Sequence, residues 1–169
     1  DITNPSAIRA VSQVILSDNI FWIYVTNSKA YLTLGYSGLS IVDVSNPYIP
    51  VKMGNCPIAG LVREAKVLGN YAYVEADTAG MKIIDVSNAN APVQVSFFNL
   101  GSSSVSSIDV SGNYAYLAYG TNGLQIVDIT NPLNPTVAGF LNLSYAYKVV
   151  VSGSHAYMIA DSMYIINIS

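Results

Sequence analysis

The side chains of this chain that could do acid–base chemistry are few, because only 10% of its 169 residues are charged. Glu64 and Asp109 have the right type for a general acid and a general base. Lys66 and Lys148 stand in comparable apolar stretches and have the charge needed to pair with them. A hydrolase or lyase that uses Glu64 and Asp109 is therefore one hypothesis for the chain.

Histidine and cysteine, the other residue types that most often take part in catalysis or metal binding, occur only once each. His155 is the only histidine and Cys56 the only cysteine, which excludes an internal disulfide and every CxxC metal or redox pattern. Glu75 and Asp77, two apart on one strand, could ligate calcium. In the other repeats only Asp161 places a carboxylate at the position of Asp77. This favours a role in a turn over an ion site shared by all repeats. We expect no catalytic site, no metal and no cofactor.

An internal repeat of about 42 residues determines where these side chains lie. Each repeat contains four short runs rich in Val, Ile and Tyr, separated by Gly or Asn turns and, in three of the four repeats, by an Asn-Pro stop. This pattern predicts an all-β chain with a single domain over residues 1–169. The repeats run approximately over residues 1–42, 43–84, 85–127 and 128–169, and each begins at an aspartate: Asp1, Asp43, Asp85 and Asp128.

A four-stranded antiparallel unit of this length cannot bury both of its faces alone. Radial stacking of such units into the blades of a β-propeller solves this problem. The sequences 39-LSIVDVSNP-47 and 124-LQIVDITNP-132 resemble the signature of the LVIVD-repeat β-propeller family. The resemblance covers nearly the whole chain and implies a ring of four blades. It implies no particular activity, because the family includes extracellular and surface proteins of varied role.

The two ends of the chain carry complementary parts of one blade. Residues 8–16 read as a fourth strand, and residues 145–169 read as a first, second and third strand. We expect the opening strand to complete the last blade and so fasten the ring within one chain. In the alternative, it completes the last blade of another molecule and builds a larger ring or a filament. The residues of this closing or exchanged strand are Ile8, Ala10, Ser12 and Val14.

The first strand of each blade lies nearest the propeller axis and varies most between blades. One of its faces is apolar, whereas the other carries aromatic and charged side chains. Charges near a core are expected to pair, so an ion network between blades is the structural interpretation. The functional alternative is an axial pocket for a small polar ligand or a carbohydrate, with aromatic stacking faces. These axial residues are Trp22, Tyr24, Glu64, Lys66, Asp109 and Lys148.

The recurring aspartates Asp43, Asp85 and Asp128 each precede a Ser/Thr-Asn pair. A carboxylate at this place can accept N–H hydrogen bonds from the turn that follows. We therefore interpret these three residues as structural.

Charge and composition narrow the function further. The net charge is −3 and the seven Lys and Arg are scattered, so no basic patch for nucleic acid is present. No apolar run approaches the length of a transmembrane segment. A charge-poor, polar surface is typical of secreted or cell-surface proteins, on which Asn142 and Asn167 would be glycan acceptors. We expect a non-enzymatic extracellular or cell-surface structural or interaction module whose partners are proteins, including further copies of itself.

Overall fold

The computed structural model describes residues 9–16, 18–99, 101 and 104–169. Within these ranges the chain folds into consecutive antiparallel sheets and one short 3₁₀ turn, Asp77–Ala79. No helix in the described ranges is long and apolar enough to span a membrane.

Three sheets have four strands each and the last has three, and strands that are adjacent in sequence pair with each other. We refer to the sheets as blades 1 to 4. Blade 1 contains β1 (Trp22–Thr26), β2 (Lys29–Thr33), β3 (Leu39–Asp43) and β4 (Val51–Cys56). Blade 2 contains β5 (Ala65–Leu68), β6 (Tyr71–Glu75), β7 (Met81–Asp85) and β8 (Val93–Phe98). Blade 3 contains β9 (Ser107–Ser111), β10 (Tyr114–Ala118), β11 (Leu124–Asp128) and β12 (Thr136–Leu141). Blade 4 contains β13 (Lys148–Ser152), β14 (His155–Ile159) and β15 (Met163–Asn167).

Both faces of a blade are apolar, as the second strand of blade 3 illustrates. Tyr116 lies opposite Ile126, and Ala115 lies opposite Val127. Because successive side chains of a strand point to opposite faces, Tyr116 and Ala115 belong to different faces. Both residues are buried. An inner blade therefore needs an apolar neighbour on each side.

The hydrophobic core consists of the layers between successive blades. Leu39 of blade 1 and Ile84 of blade 2 belong to one buried cluster. Met81 of blade 2 and Leu117 of blade 3 belong to the next. The first strands β1, β5, β9 and β13 contact one another in succession at the centre. This arrangement confirms the predicted all-β propeller of four repeated blades.

One glycine per complete blade is required by a close backbone approach. Gly38, Gly80 and Gly123 hold the same place before the third strand and all have positive φ, at +88°, +76° and +85°. A Cβ on Gly123 would lie 2.2 Å from the carbonyl oxygen of Leu141. The third and fourth strands can therefore approach this closely only when the residue has no side chain.

The segment before blade 1 differs from the predicted fourth strand. Residues 9–16, which include Ala10, Ser12 and Val14, form no strand. Val14 and Leu16 instead pack on Ala30 and Leu32, on the otherwise uncovered face of blade 1. Ile8 lies outside the described residues. No described strand pairs with the outer edge of β15, so closure of the ring by terminal strand pairing remains a prediction.

Replacing Gly123 by Ala tests the close approach, with Gly112→Ala in the same blade as the matched control. Both glycines have positive φ, which costs an alanine about 1 kcal/mol. Only Gly123 would also clash, because no atom lies within 4 Å of a Cβ on Gly112. We expect Gly123→Ala to lower the free energy of unfolding by about 3 kcal/mol in urea titrations. Equal losses for the two variants would contradict this account.

Candidate functional site

The structure brings the six predicted axial residues together where the first strands meet. The ammonium of Lys148 lies 2.6 Å from the Glu64 carboxylate, and that of Lys66 lies 3.3 Å from Asp109. These ion pairs join blade 4 to blade 2 and blade 2 to blade 3. We refer to the residues that meet here as the axial cluster: Trp22, Tyr24, Glu64, Lys66, Ser107, Asp109 and Lys148.

The carboxylates of the axial cluster already have several hydrogen-bond donors. Glu64 accepts hydrogen bonds from the Ser107 hydroxyl at 2.8 Å and from the Ile108 amide at 3.2 Å. Asp109 accepts a hydrogen bond from the Val151 amide of blade 4 at 2.7 Å. A buried carboxylate with this many donors stabilises the packing of adjacent blades. Use of Glu64 and Asp109 as an acid–base pair remains a hypothesis.

The aromatic side chains of the axial cluster are covered by its cations. The Lys148 ammonium lies 4.4 Å from the centroid of the Trp22 ring, and the Lys66 ammonium lies 5.5 Å from that of Tyr24. Both distances suit cation–π attraction and link blade 1 to its neighbours. A carbohydrate stacking on either ring would compete with these lysines. The axial ligand site therefore remains a prediction, and its occupation would require the lysines to move.

The recurring aspartates stabilise the turns that follow the third strands. The Oδ1 atoms of Asp43, Asp85 and Asp128 each accept a hydrogen bond, at 2.8 Å, from the amide two residues later. In blade 4 the Asn167 side chain accepts the same bond at 3.0 Å. Two hydrogen bonds lower the pKa of the Asp128 carboxyl. The larger effect comes from the Thr130 hydroxyl and the smaller from the Thr130 amide. The repeat motif is thus a turn-stabilising unit.

Sequence reasoning missed the environment of Glu75. Its side chain is fully buried, its Oε1 accepts a hydrogen bond from the Asp77 amide at 2.6 Å, and its Oε2 has no hydrogen-bond partner. Arg63 lies 3.8 Å from this carboxylate and 3.5 Å from that of Asp77. Burial raises the pKa of Glu75 to about 7. Counting by two along β6 from the buried Tyr73 would have placed Glu75 on the same inward face.

The predicted calcium alternative at Glu75 and Asp77 has no support in the geometry. Across the residues that the structure describes, no group of three His, Cys, Asp or Glu side chains is arranged to hold a metal ion. Cys56 is buried and unpaired, and burial raises the pKa of its thiol. His155 lies at the β13–β14 hairpin, 3.1 Å from the Ser154 hydroxyl.

The family model of the LVIVD repeat matches three segments, residues 22–57, 59–99 and 102–142. The chain belongs to the LVIVD repeat family. The resemblance carried by the Ile-Val-Asp motifs is thereby confirmed, and the matched segments correspond closely to blades 1, 2 and 3 of the LVIVD propeller. No curated protein has a significant match to the chain.

Solved structures similar to this LVIVD protein are also propellers. The computationally designed Ika4 protein has a TM-score of 0.74 at 10% identity, over 96% of this chain and 99% of its own. The designed Ika8 protein has a TM-score of 0.73 at 10% identity, over 88% and 46%. The N-terminal domain of Nup159 has a TM-score of 0.59 at 12% identity, over 88% and 45%. The LVIVD chain therefore spans less than half of the Ika8 and Nup159 chains, and these identities show a shared fold alone.

A double-mutant cycle on Glu64→Gln and Lys148→Met tests whether the axial ion pair stabilises the ring. The Glu64 side chain is 5% exposed and that of Lys148 is 34% exposed. We expect a coupling free energy of about 1 to 2 kcal/mol between the two substitutions in urea unfolding. Lys52→Met, at an exposed position of strand β4, is the matched control and should show no coupling to Glu64→Gln. A coupling near zero for Lys148 would contradict a stabilising pair.

The raised pKa of Glu75 predicts that stability depends on pH. Below about pH 4.5 the carboxyl is protonated in both the folded and the unfolded protein, so its contribution is fully present. Stability is lost as the pH rises towards 7, because the unfolded state ionises first, and the loss is about 3 kcal/mol at most. We expect Glu75→Gln to reduce this dependence in urea titrations between pH 4.5 and 8. An unchanged slope in the variant would rule out Glu75 as its source.

Proposed function

We propose that this LVIVD-repeat propeller is a structural interaction module rather than an enzyme, and that it associates with further copies of itself. The observation that carries the proposal is the outer edge of β15. Blades 1, 2 and 3 end in a fourth strand, whereas no described strand pairs with the outer edge of β15, whose inner edge pairs with β14. An unpaired strand edge presents free N–H and C=O groups, which is the usual template for strand addition.

Residues 9–16 have the position that a donated fourth strand needs. The Ser12 hydroxyl donates a hydrogen bond to the Pro47 carbonyl of blade 1 at 2.6 Å. At the blade 2–blade 3 interface, the Ser96 hydroxyl of β8 donates to the Pro132 carbonyl at 2.5 Å. Ser12 and Ser96 lie the same distance after their repeat aspartates, as do Pro47 and Pro132. Residues 9–16 therefore contact blade 1 in the same way that β8, the outer strand of blade 2, contacts blade 3.

A place outside the cell or at its surface is part of the same proposal. The chain has few charges, since Asp, Glu, Lys and Arg make up only 10% of its residues. Of the two glycan acceptors, Asn142 is the better candidate, because it is exposed and lies in the loop after β12. The side-chain oxygen of Asn167 instead accepts hydrogen bonds from the Ser169 amide and hydroxyl.

Gln13→Pro tests strand exchange, with Gln13→Ala as the matched control. Gln13 is exposed in the segment that would be donated. Proline removes an N–H and disfavours pairing within a sheet, whereas alanine preserves the backbone. We expect wild type and Gln13→Ala to show a mass above 18.0 kDa by light scattering, and Gln13→Pro to dissociate at about tenfold higher concentration.

Light scattering of each protein over a series of dilutions can also overturn the proposal. A wild-type mass of one chain at every concentration would refute self-association. Equal masses for the proline and alanine variants, both above one chain, would refute exchange of this strand while leaving self-association intact.

A further inference from the structure

We infer that the outward faces of blade 1 and blade 4 bind each other between two copies of this chain, head to tail. The inference rests on the proposed self-association and adds which surfaces meet. We refer to these two surfaces as the end faces. Ile23 and Val25 belong to the end face of blade 1, and Met163 and Ile165 belong to that of blade 4.

Met163 and Ile165 on the end face of blade 4 occupy positions that are buried or partly buried in blades 1, 2 and 3. Ile165 lies opposite Tyr157 in the sheet, as Ile41 lies opposite Tyr31 in blade 1. Ile41 is 0% exposed, whereas Ile165 is 64% exposed. Met163 is 66% exposed, although Met81 at the same place in blade 2 is 0% exposed. Among the described residues, no blade covers blade 4 on this side, whereas the following blade covers the third strands of blades 1 and 2.

The end face of blade 1 shows the same contrast on the opposite side of the ring. Ile23 and Val25 are 57% and 56% exposed. Ala65 and Val67, at the same places in blade 2, are 0% and 7% exposed because blade 1 covers them. Residues 9–16 reach only part of this surface, through Val14 and Leu16.

The inner interfaces of the chain show what covers each end face. At each of them, the isoleucine equivalent to Ile165 and the valine equivalent to Val25 belong to one hydrophobic cluster. A blade-1 end face therefore matches the surface that covers the equivalent of the blade-4 end face at every inner interface. The inner pairs are Ile41 with Val67, Ile83 with Val110, and Ile126 with Val151.

The partner that covers each end face is a second copy of the chain and not another blade of the same copy. Within one chain the Lys148 ammonium already contacts Trp22 near the axis, yet Val25 and Ile165 remain exposed. A second copy would bring its blade 1 together with its own residues 9–16, and so cover the face and the free edge of β15 in one docking step. Because the two end faces differ, the contact is heterologous and gives a closed ring or a filament.

Complementation between two charged variants tests this surface. Val25→Glu disables only the end face of blade 1, and Ile165→Lys disables only that of blade 4. Each variant alone should associate at least about tenfold more weakly than wild type by sedimentation at several concentrations. An equimolar mixture should form a dimer that does not grow, because one intact end face remains on each partner. Leu133→Lys, at a residue 60% exposed in a turn of blade 3, is the matched control and should behave as wild type.

The outcomes separate this inference from the proposed function. A monomeric wild type would overturn both. Association of both variants at wild-type strength would overturn the end-face contact and leave strand exchange intact. Weakened variants without rescue in the mixture would show that like faces meet, which also overturns the inference. Ile23→Glu and Met163→Lys repeat the test on the same faces if either first variant fails to fold, as judged by circular dichroism.

Discussion

The structure depends above all on one constraint: a blade of this protein is apolar on both faces. Burial of a Val, Ile, Leu or Met side chain contributes about 1.5 to 3 kcal/mol, whereas an exposed ion pair contributes about 0 to 1 kcal/mol. With so few charged residues, the free energy of folding must come mainly from blade-on-blade layers such as Leu39 against Ile84. Stacking around an axis provides blades 2 and 3 with two neighbours each. It leaves the first and last blades with one each.

Four charged side chains form two ion pairs where the blades converge. Glu64 and Lys148 connect blades 2 and 4, and Lys66 and Asp109 connect blades 2 and 3. A buried charge is tolerated only when partners replace the water that it has lost, and each axial carboxylate accepts several hydrogen bonds. Glu75 is the exception. With one orphan oxygen and a raised pKa, it makes the blade 2–blade 3 region sensitive to protonation.

Much of the fold could be predicted because its rules are local. Alternation of apolar residues gave strands such as β10, Tyr114–Ala118, and the Gly and Asn turns gave their hairpins. The candidate axial site could also be assembled from the sequence, since Glu64 and Lys66 alternate on the face opposite Ala65. The role of residues 9–16 could not be predicted. Val14 and Leu16 are as compatible with a fourth strand as with packing on blade 1, and local sequence does not decide between the two surfaces.

The sequence by itself determined the all-β class, the repeat, the family and the types of side chain at the axis, because each depends on spacing within a repeat. The tertiary structure decided which groups pair across repeats: Lys148 with Glu64, Lys66 with Asp109, and Ser12 with Pro47. It also decided that Ile165 is exposed although Ile41 and Ile83 are buried. Identical repeat positions have identical local propensities, and only the presence or absence of a neighbouring blade makes their environments differ.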